Sequence, residues 1–436
     1  MASLVTSSRL TRMQEAVAAL FERNRQRGHA PWCGRDYDFC CPSTGTYPFQ
    51  WFWDSCFHAI VLSRIDPARA RSEIQSLIAN AHPDGLISHV TFWQRERYEQ
   101  MLETYSIAYR TPYLTDCIQP PLLAEAVAAA AHRGGGTAFV REVMPALRRY
   151  YDYLNRVRDP DRDGLIAILQ ADESGLDHSP KYDRYLGIES IAPAEMTRGW
   201  QRVATAYAGV DRVPERMFAL DRFIVEDVMV NTIYAINLRQ LADLYRELGD
   251  PTAAAEMDGR AARTRAGLLD KCYSETDGLF YDLAGQREER LRTSTATALL
   301  PLALPDLPAP MAAALIAHLR DPEEYAAEYP VPSVSMREPA FCPEMPAGNL
   351  VFRGTTWLNL NWYLCRGLRR HGATDLARRV EERSVALVER AGFRECYNPR
   401  TGAGYGAQGL GWSALALELL AALEGEQGAA APGSVV

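Results

Sequence analysis

The sequence A-D-E-S-G-L-D-H-S-P, residues 171–180, is the stretch around which the rest of the chain is organised. Three acids, Asp172, Glu173 and Asp177, fall within six positions, and a glycine, two serines and a proline lie among them. Gly and Pro disfavour a helix interior, and Ser and Asp favour turns and caps. The stretch is therefore predicted to be a loop that carries carboxylates, and such loops are where catalytic groups concentrate on a rigid scaffold.

The composition is that of an ordinary folded protein and disfavours several classes of function. Of the 436 residues, 47% are hydrophobic and 23% are charged, values typical of globular proteins. The net charge of −8 disfavours binding to nucleic acid. The chain begins with no basic segment followed by an apolar one, and no run of about 18 apolar residues occurs. We therefore expect a cytoplasmic protein that contacts neither nucleic acid nor membrane, and a homo-oligomer is left open.

The sequence predicts no metal and no cofactor. Nine cysteines without a C-x-x-C pair, and no H-x-x-x-H spacing, support neither a zinc site nor a disulfide framework. Residues 158–165, R-D-P-D-R-D-G-L, look like a calcium loop but lack the twelve-residue spacing and the closing Glu, so a plain connecting turn is favoured. No glycine-rich nucleotide-binding motif or P-loop is present.

Apolar residues recur at helical spacing along most of the chain, which predicts about a dozen helices separated by loops. The loops include 32–48, 330–348 and 393–413, and we find no run of alternating strands. A tandem helical solenoid would show self-similarity at a fixed period, which is absent. The predicted helices are Thr11–Arg27, Phe57–Ile65, Pro67–Ala81, an alanine-rich helix from Leu122 to Ala131, Thr137–Arg156, Met229–Leu248, Thr252–Leu269, Ser294–Leu304, Met311–Leu319, Arg353–Arg366, Leu376–Ala391 and a last helix ending at Leu423.

Four blocks of this sequence resemble glycoside hydrolase family 63 and the related trehalases. They are P-F-Q-W-F-W-D-S at 48–55, E-S-G-L-D-H-S-P at 173–180, R-G-T-T-W-L-N-L-N-W at 353–362 and F-R-E-C-Y-N-P-R-T-G-A-G at 393–404. The resemblance covers about residues 30–420. It implies an all-α fold, an (α/α)6 toroid whose long loops on one rim form the active site. We expect a single catalytic domain over residues 1–425 and a flexible tail over 426–436.

The resemblance also implies two catalytic acids. Asp177 matches the family's general acid and Glu395 its general base, which implies hydrolysis with inversion. Inversion requires two carboxyls roughly 6.5–9.5 Å apart, with room for a water between them. The residues implied to bind substrate are Tyr47, Gln50, Trp51, Trp53, Asp54, Gln119, Arg353, Trp357 and Gln408.

The short, single-domain members of the family hydrolyse small glycosylglycerates, so the resemblance implies 2-O-(α-D-mannosyl)-D-glycerate as substrate, with glucosylglycerate as a second. Glycerate carries a carboxylate, and arginine suits a bidentate contact with it. The candidates are Arg202, Arg216, Arg222 and Arg353. The alternatives are a glucosylglycerate-specific hydrolase, a trehalase-like glucosidase acting on neutral disaccharides, and a non-catalytic helical sugar-binding protein.

Several residues keep a structural alternative. Asp54 suits a helix N-cap as well as a sugar contact. Asp227 and Asn231, one helical turn apart, either reach one pocket or serve as a cap and a buried hydrogen-bonding amide. Asp172 and Glu173 are interpreted as acids that bind backbone N–H groups of their own loop.

Overall fold

The structure, a computed structural model, describes residues 2–105, 109–344 and 352–425, which are mostly helical. The predicted tail, 426–436, and part of the predicted loop 330–348 lie outside these residues. In the described part of the chain the α-helices are α1 (Ala2–Asn24), α2 (Phe52–Ile65), α3 (Pro67–Ala79), α4 (Arg95–Tyr105), α5 (Leu123–Ala130), α6 (Gly136–Val157), α7 (Asp183–Leu186), α8 (Pro193–Ala208), α9 (Pro214–Leu220), α10 (Val228–Glu247), α11 (Pro251–Gly267), α12 (Ala309–Arg320), α13 (Leu358–Arg370), α14 (Thr374–Ala391) and α15 (Ala416–Leu423).

The strands are short and pair locally. They are β1 (Arg25–Ala30), β2 (Arg35–Cys40), β3 (Gln50–Trp51), β4 (Val90–Thr91), β5 (Val225–Glu226), β6 (Tyr273–Ser274), β7 (Leu279–Phe280), β8 (Asp282–Ala284), β9 (Glu289–Leu291), β10 (Arg394–Tyr397) and β11 (Gly404–Gln408). Each pairing is antiparallel, and the largest sheet has three strands in the order β5-β8-β9. Strands of this length position loops and contribute little core.

The chain forms two compact units, and the larger comprises Arg25–Pro42 and Tyr47–Thr293. Its core lies around α2, which is buried from Phe52 to Ser63 and packs on α3 and α5, and around the pair α10 and α11. A helix buried on every side belongs in the interior of a helical fold. Asp66 and Asp250 accept hydrogen bonds from the first turns of α3 and α11, and a proline follows each at the first helical position.

In the described part of the chain, the smaller unit comprises residues 2–24, 43–46, 294–344 and 352–425. Its central helix is α13, buried along most of its length, which packs on α14 and on a 3-10 segment, Ala296–Ala303. Helix α15 packs on α14 and α1. Both units are therefore built from helix pairs, as the sequence predicts.

Several predicted boundaries are wrong. The first helix ends at Asn24, because the next residues form β1, and Arg25 makes a bidentate ion pair across the hairpin with Asp38 at 2.8 and 2.6 Å. The predicted loops 32–48 and 393–413 contain β2 and the pair β10–β11. The helix predicted over 294–304 is 3-10. Cross-strand pairing is decided by tertiary contacts that a helical period does not reveal.

Four of the described helices, α4, α7, α8 and α9, were not predicted from the sequence. Helix α8 has Gly199 in its interior, a residue of poor helix propensity. The glycine is used for packing, because a Cβ there would lie 3.1 Å from the Ile188 side chain. Within the described residues, no helix combines the length and apolar character needed to cross a membrane.

Candidate active site

The residues predicted to contact substrate fall in both units. In the larger unit, β3 carries Gln50 and Trp51 and pairs with β4, which brings the loop bearing His89 beside them. The indole of Trp51 lies edge-on to His89 at 5.5 Å and to Tyr47 at 5.9 Å, measured between ring centroids. Trp51 remains partly exposed, so its ring can offer a flat apolar face.

Gln50 is fully buried and holds neighbouring segments together at this point. Its Oε1 accepts a hydrogen bond from the Trp93 indole N–H at 2.7 Å, and its Nε2 donates to Ser55 at 3.3 Å. Gln119 is also buried, and its Oε1 accepts a hydrogen bond from the backbone N–H of Trp53 at 3.0 Å. Both amides therefore fix the aromatic segment in place.

Asp54 is buried in the first turn of α2 and is not its N-cap, which is Trp51. The N-terminal end of a helix stabilises a carboxylate. Asp54 therefore lies where the helix dipole favours a carboxylate, and its burial places it in the interior of the larger unit.

The loop 171–180 is locked against this aromatic segment by a glycine. Gly175 has a left-handed backbone with φ +71°, and a Cβ at this position would lie 2.4 Å from the indole ring of Trp53. Only a glycine allows that approach. The loop therefore lies directly against Trp53, and Asp177, half-buried, follows two residues later.

Glu173 holds the same loop through buried contacts, since the residue is only 1% exposed. Its carboxylate forms a bidentate ion pair with buried Arg158 at 2.8 and 2.6 Å. It also accepts backbone hydrogen bonds from Ile118 at 2.9 Å and from Leu169 at 2.6 Å. These contacts give Glu173 a structural role, as predicted, but the N–H groups belong to Ile118 and Leu169 and not to the loop 171–180 itself.

The carboxyl group of Asp172 is hydrogen-bonded to an amide, and a second carboxyl group lies near it. Gln170 donates from Nε2 to both of its oxygens at 2.6 and 2.7 Å, and Arg212 in turn donates to Gln170 at 2.8 Å. Burial, and then the charge of neighbouring Asp177, raise the pKa of Asp172 to about 7. His89 Nε2 lies 4.0 Å from Asp172, and burial lowers the pKa of His89 to about 3, so that imidazole is neutral.

Lys181 anchors the end of the loop in a buried charge network. Its ammonium lies 2.5 Å from Asp227 and 2.9 Å from Asp282, and the Tyr182 hydroxyl donates to Asp227 at 2.6 Å. Asp227 also caps α10 through the Val230 N–H. Its role is therefore the structural one of the two that the sequence left open.

Asn231 follows the same structural alternative. Its amide donates to the Ile166 carbonyl at 2.9 Å and accepts from the Ile166 N–H at 2.7 Å. The oxygen and the nitrogen of the Asn231 amide are thus both hydrogen-bonded to the backbone of Ile166.

In the smaller unit, Glu395 lies where the β10–β11 pairing is interrupted, with a register shift between Arg394 and Cys396. Such bulges re-aim side chains and recur beside active sites. The Ala407 N–H donates to Glu395 Oε2 at 2.8 Å. Gly406 has φ +65°, and a Cβ there would lie 2.3 Å from that oxygen, so the glycine leaves the space that the carboxylate occupies.

Trp357 lies in the same unit, in an extended segment bonded to the hairpin of Glu395: Thr356 and Tyr397 exchange backbone hydrogen bonds at 2.7 and 3.0 Å. The Trp357 indole is fully buried and stacks on Phe352 at 3.8 Å, and it lies 5.5 Å from Trp412. The Trp412 N–H donates to the Glu395 carbonyl at 3.3 Å. The segment and the hairpin that carries Glu395 thus pack together.

The four candidate arginines differ in burial. Arg353 is 1% exposed, while the other three lie on the surface. Arg202 donates to the carbonyl of Leu186, and Arg216 pairs with Asp211. Gln408, at the end of β11, is exposed, and its carbonyl accepts from Ser43 at 2.9 Å.

Sequence reasoning missed Arg212. It is buried, pairs with Asp116 at 3.0 Å and reaches Asp172 through Gln170. It lies in the turn between α8 and α9, two helices that were also missed. An arginine in a short turn carries no signal of burial in the sequence.

The comparisons with known proteins agree on one family. The family model that matches is the "Mannosylglycerate hydrolase MGH1-like glycoside hydrolase domain", over residues 47–413. A mannosylglycerate hydrolase from Thermus thermophilus is 30% identical over 405 residues, which cover 86% of this chain and 95% of that protein. A glucosylglycerate hydrolase from Mycolicibacterium hassiacum is 27% identical over 418 residues, 85% of this chain and 91% of that protein.

A solved structure shares the fold over nearly the whole chain. It is the crystal structure of a GH63 mannosylglycerate hydrolase from Thermus thermophilus in complex with Tris and D-glycerate. The TM-score is 0.81 at 28% sequence identity, and the alignment covers 93% of this chain and 99% of that one.

We predict that Gly175→Ala lowers the free energy of unfolding by about 2–4 kcal/mol, from left-handed strain and the displaced Trp53 ring. It should also lower kcat/KM, because the loop carrying Asp177 moves. Urea denaturation and steady-state kinetics measure both. Gly249→Ala is the matched control, with φ +79° and open space around the added methyl group. Equal losses in the two variants would contradict close packing on Trp53.

Replacing Glu173 with Gln should cost about 3–5 kcal/mol of stability, because buried Arg158 then loses its counter-charge. Urea denaturation of purified variants measures the loss. Glu99→Gln removes a glutamate from an exposed i, i+4 pair with Arg95 and should leave the transition unchanged. A transition for Glu173→Gln that matches the wild type would show that the ion pair does not hold the loop.

Proposed function

The chain belongs to the mannosylglycerate hydrolase MGH1-like family of glycoside hydrolases, and from that premise we propose that it hydrolyses 2-O-(α-D-mannosyl)-D-glycerate to mannose and D-glycerate. The observation that carries the proposal is that the family match spans residues 47–413 and so contains both acid-bearing motifs. The Thermus thermophilus relative bears this activity in its name, and the similar crystal structure holds D-glycerate.

The fold we propose is the (α/α)6 toroid, as one catalytic domain over residues 1–425. The helix pairs α2–α3, α10–α11 and α13–α14 support it, each being two successive helices packed on one another. The loops of the toroid would carry the catalytic acids.

Asp177 is the general acid in this proposal and gives its proton to the glycosidic oxygen as the bond to glycerate breaks. Its support lies in the rigidity of its loop. Gly175 lies against Trp53, and Glu173 is held by Arg158. A proton donor held in this way has little conformational freedom to lose when the transition state forms.

Glu395 is the general base and removes a proton from the attacking water. The Ala407 N–H holds one of its oxygens and therefore its orientation. Attack by water from the face opposite the leaving group inverts the anomeric centre, so β-mannose is the first product. Proton nuclear magnetic resonance at early times detects that anomer.

The sugar is bound by aromatic faces and a carboxylate. Trp51 and Trp53 supply apolar faces for the C–H-rich side of the ring, and buried Asp54 accepts hydrogen bonds from hydroxyls. Tyr47, Gln50, Gln119, Trp357 and Gln408 complete the proposed set. Gln50, Gln119 and Trp357 support it by holding the aromatic segments in position.

Arg353 is the proposed ligand of the glycerate carboxylate. It is the buried member of the four candidates, and a buried guanidinium meeting a carboxylate makes a strong bidentate contact. The other three candidates are exposed to solvent, where water would weaken the contact with the carboxylate; they are Arg202, Arg216 and Arg222.

We predict that Asp177→Asn and Glu395→Gln each lower kcat/KM on mannosylglycerate by about 10²–10⁴-fold, the usual range for losing one proton-transfer group. α-Mannosyl fluoride separates the roles, because fluoride leaves without protonation. Asp177→Asn should retain most of its activity on the fluoride, and Glu395→Gln should not.

The control for these two variants is Asp36→Asn, whose side chain is 89% exposed and whose kinetics should match the wild type. A Glu395→Gln enzyme that hydrolyses the fluoride at the wild-type rate would show that another group is the base.

Replacing Arg353 with Lys should raise KM for mannosylglycerate at least about tenfold, because a bidentate charged contact is lost. The same variant should keep its KM for α-mannosyl fluoride, which has no glycerate. Arg202→Lys is the control. An equal rise of KM on both substrates would show that Arg353 does not bind glycerate.

The rival functions are separated by substrate. The glucosylglycerate hydrolase among the relatives favours glucosylglycerate as a second substrate, and purified protein should be assayed on mannosylglycerate, glucosylglycerate and trehalose. A higher kcat/KM on glucosylglycerate would replace mannose by glucose in the proposal. Equal turnover of trehalose would indicate a neutral glucosidase, and release of no sugar from any of the three would indicate a binding protein.

A further inference from the structure

Four carboxylates from three separate segments of the larger unit meet away from the residues discussed above. Asp161 and Asp163 lie in the turn after α6, Glu226 ends β5, and Glu288 lies between β8 and β9. Each residue contributes one carboxylate oxygen, and these four oxygens all lie within 4.8 Å of one another. Like charges this close repel one another, and a cation among them lowers that electrostatic cost.

One cation in the protein supplies part of that charge. The Lys271 ammonium lies 2.6 Å from Asp163 and 2.8 Å from Glu288. When all four carboxylates are ionised, this ammonium by itself leaves three of their charges uncompensated.

Glu226 provides a second, independent observation. Its side chain is buried, with 7% of the residue exposed, and its Oε2 is buried without a hydrogen-bond partner among the described residues. An unpaired polar group in the interior is costly, and native structures satisfy nearly all such groups. A cation beside this oxygen would give it the partner that it lacks.

We propose that Asp161, Asp163, Glu226 and Glu288 bind a calcium ion. The donors are all carboxylate oxygens, which hard cations prefer. Calcium–oxygen distances of about 2.3–2.6 Å allow two ligands on opposite sides of the ion to lie about 4.6–5.2 Å apart. A span of up to 4.8 Å between the oxygens fits that geometry. Magnesium, with bonds of about 2.0–2.1 Å, would need opposite ligands closer together.

This site departs from the expectation for 158–165. The turn has no closing Glu in its own sequence, and the glutamates come instead from β5 and from the turn before β9. Arg162, between the two aspartates, has φ +64°, and Asp163 accepts a hydrogen bond from the Leu165 N–H at 2.7 Å, so the turn is tightly folded. The ion is structural in this proposal: it ties the turn to β5, and Asp227, the residue after β5, holds Lys181.

The test uses the full chain, treated with EDTA and dialysed, and is independent of the activity. Isothermal titration with CaCl2 should show one equivalent bound per chain, and calcium should raise the melting temperature by several degrees. Glu226→Gln should weaken calcium binding at least about tenfold, because one charged ligand is lost. Without metal, this variant should melt no lower than the wild type, because the unpaired carboxylate is gone. Asp161→Asn is a second ligand variant on the surface.

Asp211→Asn is the control, an acid 81% exposed and paired with Arg216, whose φ of +56° an asparagine accommodates. It should bind calcium like the wild type. The proposal is overturned if the wild type shows neither binding nor a shift, or if binding survives both Glu226→Gln and Asp161→Asn. It is also overturned if magnesium binds as tightly as calcium, or if NaCl of equal ionic strength gives the same shift.

Discussion

The buried ion pair between Glu173 and Arg158 is the contact on which the acid-bearing loop depends. Both side chains are almost fully buried, and the carboxylate makes two bonds to the guanidinium and two to backbone N–H groups. A buried ion pair with this many hydrogen bonds to the carboxylate can persist in the interior, whereas either member alone would leave an uncompensated buried charge. Because the backbone bonds reach Ile118 and Leu169, one carboxylate joins three segments of the larger unit. Asp172 and Asp177 then lie on a loop that these bonds attach to Arg158 and Ile118.

Glycines support the catalytic candidates in both units by the same physical means. Gly175 admits the ring of Trp53, and Gly406 admits the carboxylate of Glu395. In each position the backbone is left-handed, and a Cβ would occupy the space of a candidate side chain. Gly175 belongs to the block 173–180 and Gly406 lies two residues beyond the block 393–404, and each glycine fixes the local geometry around its neighbour.

Much of the helical framework could be predicted from the sequence, because it depends on local periodicity and caps. Helices α3, α10 and α11 begin within a residue of their predicted starts, at an acid that accepts a hydrogen bond from the first turn. Prediction failed where tertiary contacts override local preference. Helix α13 begins at Leu358, five residues later than predicted, because the preceding segment pairs with the hairpin of Glu395. The hairpin β1–β2 likewise ends α1 early.

The order of residue types by itself pointed to the acids of 171–180, because a loop rich in Gly, Ser and Pro that carries carboxylates is recognisable without coordinates. Glu395 was identified only through the motif blocks that the chain shares with its family. Only the tertiary structure decided what those acids touch. Burial, neighbouring charges and unpaired atoms are properties of groups far apart in sequence, so the roles of Glu173, Arg212 and Glu226 became visible only when the chain was folded. The same reason explains the acidic turn at 158–165. The two glutamates that lie beside it, Glu226 and Glu288, come more than sixty residues further along the chain, and no local pattern could reveal them.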